Sequence, residues 1–93
     1  MIESVNGRLC VGCAMTTDQA RELLERGRAL IVPGEQVIDL SGVGDADSSA
    51  VAVMLGWLRH GALTGALIRF AGVPAGVASL AELYGVSDLL PLA

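Results

Sequence analysis

The apolar positions of this chain fall in short runs whose spacing keeps changing. Ile2 and Val5, then Leu9 and Val11, flank an Asn6-Gly7 dipeptide. Two short apolar runs joined by Asn-Gly are the strongest local signal of a β-hairpin. Strands are therefore predicted over 2–5 and 8–14. From Thr16 onward the spacing becomes helical. Ala20, Leu23, Leu24, Gly27 and Ile31 share one face, and Arg21/Glu25 and Glu22/Arg26 pair at i,i+4 on the other. Thr16 or Thr17 caps this helix, with Gln19 placed three residues after Thr16 as in a capping box. Pro33-Gly34 ends it.

Residues 36–40 read as a short buried strand. A loop over 41–47 follows, and Ser48 opens a second helix as its N-cap, running to about residue 62. Gly65 separates that helix from a strand over Ala66–Ala71. Gly72-Val73-Pro74 starts a third helix, with Pro near its first position. Val77, Leu80, Ala81 and Tyr84 line its buried face, and Gly85 ends it. Residues 86–92 form a short terminal turn or strand. The order is β-β-α-β-α-β-α, an α/β arrangement with a mixed sheet carrying helices. Ninety-three residues leave room for one domain over 1–93.

The second helix has an unusual outer side. On a wheel, Val51, Met54, Leu55 and Leu58 group as the core face. Ser48, Ser49, Ala52, Gly56, Arg59 and His60 fall opposite, with Val53 and Trp57 at the border. Ser48, Ala52 and Gly56 follow one another at i, i+4 and i+8, a groove that a partner can approach closely.

Composition narrows the function. Hydrophobic residues make up 53% and charged residues 17%, which excludes a disordered tail. Ten acidic residues face six arginines, with no lysine, for a net charge of −4. Nucleic acid and anionic membrane both call for a basic footprint, so neither is expected as a partner. Without lysine there is no Walker A loop and no Schiff-base chemistry. The longest apolar run, over 50–58, is far short of the roughly 20 residues of a membrane span. The N-terminus lacks the pattern of a signal peptide. The expectation is a cytoplasmic protein with no direct membrane insertion.

Residues 37–58 carry the most information. A strand ends in Asp39, an acidic, Gly-containing loop follows, and Asp47-Ser48-Ser49 feeds an apolar helix. This Asp-Leu-Ser-Gly-Val, then Asp-Ser-Ser and helix, resembles the STAS domain, the fold of anti-sigma-factor antagonists and of sulfate-transporter tails. The tail is similar to the MlaB-type branch in Arg69-Phe70-Ala71-Gly72-Val73-Pro74, Leu80-Ala81-Glu82-Leu83-Tyr84-Gly85-Val86 and Leu89-Leu90-Pro91. That branch comprises small cytoplasmic subunits of the Mla phospholipid ABC transporter, which maintains outer-membrane lipid asymmetry.

The resemblance implies a STAS-like fold with a mixed, mostly parallel sheet of four to five strands and three to four helices. It also implies a non-catalytic, cofactor-free subunit. Its partner would be the transporter's MlaF-type ATPase subunit, and through it the permease and the inner membrane. The contact surface would comprise Ser48, Ser49, Ala52, Gly56, Trp57 and His60, with Arg59 at the rim. Ser48 holds the position phosphorylated in the sigma-antagonist branch, which makes an antagonist switched by serine phosphorylation the alternative reading. Ala50 stands where a Gly is common, a departure from the family pattern. A phosphate on Ser48 would meet the like charges of Asp45 and Asp47 with no local Arg, and so would act as a release signal.

Other candidates carry less. Cys10 and Cys13 form a C-x-x-C, but within a strand such a pair points to opposite faces about 10 Å apart. That separation is too large for a disulfide, and only His60 would join them as a metal ligand. Reduced, packed cysteines and no metal site are expected. His60 suits the end of its helix. Asp39 and Asp47 lack a companion nucleophile, so no catalytic residue is expected.

Overall fold

The computed structural model describes residues 1–93. β1 (Ile2–Val5) and β2 (Arg8–Val11) form an antiparallel hairpin. Asn6 and Gly7 sit at φ 51° and 81°, the left-handed pair that a tight two-residue turn demands. Then come α1 (Thr17–Leu30), β3 (Gly34–Asp39), α2 (Ser48–Thr64), β4 (Ala66–Ala71) and α3 (Ala75–Leu83). A 3-10 turn over Ser87–Leu89 follows, and Leu92 makes a parallel bridge to Phe70. The sheet order is β1-β2-β3-β4, with β2, β3 and β4 parallel. This is the α/β order that the sequence predicts.

The helices cover one face of the sheet. Ile2, Leu9, Val11, Gln36, Ile38, Ala66, Ile68 and Phe70 are buried toward them. The alternate positions, Glu3, Val5, Arg8, Glu35, Leu67 and Arg69, are exposed on the bare outer face. Gln36 is the one buried polar side chain. Its amide accepts from Val32 N at 3.2 Å and donates to Gly7 O at 3.3 Å. It thereby ties the α1–β3 connection to the hairpin turn.

Several boundaries differ from expectation for local reasons. β2 stops at Val11, not at residue 14, because the chain leaves the sheet to join the loop before α2. Met15 N donates to Asp45 O at 2.8 Å, and Asp47 N donates to Met15 O at 3.3 Å. β3 starts earlier, at Gly34, because Gly34 N already finds Gly65 O at 3.0 Å. α2 runs on to Thr64, where Gly65 at φ 83° caps it. Tyr84 is half exposed rather than core, since α3 ends at Leu83 and the chain turns before that face is completed. Cys13 lies outside any strand. Both cysteines are free thiols and partly buried.

α2 is buried through a wider arc than the wheel predicts. Ala50, Val51, Val53, Met54, Trp57 and Gly61 are all buried, while Leu55 and Leu58 are only partly so. The reason is that α2 packs against β4 and also has a helix on either side, α1 and α3. The α1 contact is centred on Trp57, which is 0% exposed. Its indole Nε1 donates to Leu23 O at 3.2 Å. The ring lies over Gly27, where a Cβ would stand 2.0 Å from Nε1. Gly27 is therefore the socket of the largest core side chain.

A candidate interaction surface at the head of α2

The site is built by one carboxylate. Asp47, not Ser48, is the N-cap of α2: its Oδ1 accepts from Ser49 N at 2.8 Å. Its Oδ2 reaches across to α1 and accepts from Thr17 N at 3.1 Å and Thr17 Oγ1 at 3.3 Å. Thr16 occupies the N-cap position of α1 but makes no side-chain cap, so the expected capping box does not form. Gln19 contributes only a backbone bond to Thr16 O at 3.0 Å. Two helix N-termini, each with free N–H groups and a positive dipole end, thus converge on one anion. The Ser49 and then the Thr17 backbone amides hold the Asp47 carboxyl below the usual carboxylate range. Thr17 Oγ1 and Ser49 Oγ close the cluster at 2.9 Å.

The candidate residues divide on this frame. Ser48, Ala52 and Arg59 are exposed and follow one another along the solvent side of α2. Ser49 is partly buried and committed to Thr17 and Asp47. Gly56 faces α1, where a Cβ would stand 2.6 Å from Leu24 Cδ1. It keeps two helices close and is not an open groove. His60 is partly buried at the flank, and its carbonyl accepts from Thr64 Oγ1 at 2.9 Å. Trp57 is removed from the surface altogether, because its side chain fills the α1–α2 contact. The exposed part of the expected surface is therefore Ser48, Ala52 and Arg59, with Ser49 and His60 beside it.

Thr17 was not legible as part of this site, since nothing local signals a contact 30 residues away. Asp47 left a signal, because Asp is as good an N-cap as Ser. Around Ser48 the charge is acidic, with Asp45 and Asp18 exposed on the segments that meet there. A second acidic turn precedes it. Asp39 accepts from Ser41 N at 2.9 Å and from Arg8 Nη1 at 3.3 Å. The Ser41 hydroxyl and amide, with Arg8 adding to them, hold its carboxyl low.

No group of three or more metal-binding side chains comes together. No helix is long and apolar enough to cross a membrane.

A four-stranded mixed sheet with helices on one face, and an acidic loop that delivers a capped helix, is the α/β architecture of the STAS class. The chain belongs to the STAS family: the family model described as "Mlab, STAS domain" matches residues 2–91. Two solved structures share the fold. An anti-sigma factor antagonist described from Thermotoga maritima aligns with a TM-score of 0.69 and 14% identity, over 99% of this chain and 83% of that one. The anti-sigma factor antagonist SpoIIAA, in its unphosphorylated form, aligns with a TM-score of 0.70 and 16% identity, over 100% of this chain and 86% of that one. No curated protein matches the chain.

Proposed function

We propose that this protein is a non-catalytic STAS subunit that docks on the ATPase subunit of a phospholipid-transporting ABC complex and supports it. The observation that carries this reading is the family description, MlaB and STAS together, over residues 2–91. The tail motifs around Phe70 and Tyr84 agree with it. Docking uses the exposed start of α2, where Ser48 and Ala52 are small enough for close approach and Arg59 offers a charge at the rim. Membrane association then comes through the complex rather than from this chain.

The test is co-purification with an MlaF-type ATPase subunit from the same organism, co-expressed with this chain. Ala52→Arg should abolish the complex while the melting temperature stays within about 2–4 °C, because Ala52 is exposed. An undiminished complex removes this helix face from the reading.

A second reading has its own support. The two solved structures named above are described as anti-sigma factor antagonists. In that reading Ser48 is the phosphoacceptor of a partner kinase. Of the two serines its hydroxyl is the free one, since Ser49 Oγ is bonded to Thr17. Intact mass after incubation with the cognate kinase and ATP decides it. A single added phosphate on Ser48 supports the antagonist, and an unchanged mass opposes it.

A further inference from the structure

The sheet has two edges, and the chain's own tail pairs with one of them at Phe70 while the other takes no strand at all. On β4, Phe70 N donates to Pro91 O at 2.8 Å, and Ala93 N donates to Phe70 O at 2.9 Å. The side chains of Ala66, Ile68 and Phe70 are all buried. On β1 the turn decides which groups are free. Val5 and Arg8 flank a two-residue turn, so they exchange both backbone bonds, as do Glu3 and Cys10. Met1 O keeps the alternation by accepting from Gly12 N at 2.6 Å. Ile2 and Ser4 therefore turn their N–H and C=O groups away from β2. Glu3, Ser4 and Val5 are exposed.

Two further features describe what fits there. A groove of about 370 Å³ runs between β1 and the C-terminal half of α1, lined by Ile2, Glu3, Ser4, Ala29 and Leu30, with Arg26 at its wall. Arg26 is already held by Glu22 at 3.2 Å. On the outer face Glu3 has no ion pair. It lines a shallow cavity of about 320 Å³ with Met1, Cys10 and Asp39, and the Asp39 carboxylate is paired to Arg8 at 3.3 Å. The edge thus offers the apolar surface of Ile2, Ala29 and Leu30 on its helix side and the unpaired carboxylate of Glu3. A second copy does not suit it. Antiparallel pairing through Ile2 and Ser4 sets Glu3 against Glu3, and like charges directly opposite destabilise a sheet.

We propose that β1 takes up an extended segment of a partner protein as a fifth strand. Its apolar side chains face the α1 groove and a Lys or Arg stands opposite Glu3. The backbone groups of Ile2 and Ser4 supply affinity, and the alternation of the added strand supplies selectivity.

The probe is a pair of end-blocked synthetic peptides, Thr-Val-Arg-Val-Thr and its twin with Glu in place of Arg, titrated into the 15N-labelled full chain. The Arg peptide should shift the amides of Ile2, Ser4, Ala29 and Leu30. It should bind about two- to fivefold tighter than the Glu peptide, the upper range of a cross-strand charge pair. Ser4→Pro deletes an outward N–H without touching the bonds to β2, so binding should vanish while the melting curve holds. Glu3→Lys keeps every backbone group and should reverse the preference between the two peptides. Shifts elsewhere, no binding at millimolar peptide, or equal binding of both peptides would each overturn the proposal, and so would a dimer of the free chain by sedimentation. Ala52→Arg should leave peptide binding unchanged, which separates this edge from the α2 surface.

Discussion

Asp47 caps a helix that begins 30 residues before it: its carboxylate accepts from the Thr17 amide at 3.1 Å while also accepting from Ser49 N at 2.8 Å. A single acidic side chain therefore terminates α1 and α2 together. Asp47→Ala should lower the melting temperature by several degrees, more than loss of a one-helix cap. Asp47→Asn keeps one acceptor oxygen and should fall between the two. Thermal melts by circular dichroism check the order. Equal melting of all three proteins would mean that water replaces the carboxylate at no cost.

The same contacts set a pH response. Asp47 and Asp39 are both held below the usual carboxylate range, so the unfolded chain binds protons first as pH falls. Their stabilising effect is complete above the ordinary carboxylate value near 3.8 and is lost as pH drops through the lower folded values. Urea midpoints should hold steady in the neutral range as far as these two groups are concerned, then decline in acid. The double variant Asp39→Asn/Asp47→Asn should show a flatter acid limb. An unchanged slope would mean that neither contact persists in solution.

Local signals were legible in the sequence, and long-range ones were not. The Asn6-Gly7 hairpin and the β4 limits can be read because each is fixed by its own residues. The two i,i+4 ion pairs of α1 also formed, Arg21–Glu25 at 3.8 Å and Arg26–Glu22 at 3.2 Å. Trp57 was misplaced because a wheel assumes one buried side, and α2 is enclosed from three directions. Thr17 was missed because its role depends on where α2 begins. The exposed stripe Ser48–Ala52–Arg59 is what survives of the candidate surface once Gly56 and Trp57 move inside.

Gly27 has a sharp consequence for packing. Any Cβ there meets the Trp57 ring, with the nearest atom 2.0 Å away. Gly27→Ala gains helix propensity but forces α1 off α2, for a net loss of about 1–3 kcal/mol, typical of an overfilled core. Trp57 is the sole tryptophan, so its fluorescence reports the shift directly. Urea denaturation followed at that signal should show a lower midpoint. A stabilised variant would contradict the contact.

The adjacent serines should respond differently to charge. Ser48→Asp adds an exposed carboxylate at a helix start and should leave stability close to the parent. It should still weaken partner binding about tenfold or more, the scale of a misplaced interface charge. Ser49→Asp breaks the 2.9 Å bond to Thr17 and sets a second anion beside Asp47, so it should lower the melting temperature. Parallel melts and pull-downs separate the two effects. Equal destabilisation by both would argue against a free Ser48 hydroxyl.

The tail along β4 also works against stacking of the sheet. A fibre of stacked sheets needs two adhesive rims per subunit, one to receive and one to offer. Here the Phe70 end of one rim is spent on Pro91 and Ala93, and the other rim carries Glu3. Occupied backbone groups oppose copy-on-copy growth at one rim and like charge opposes it at the other.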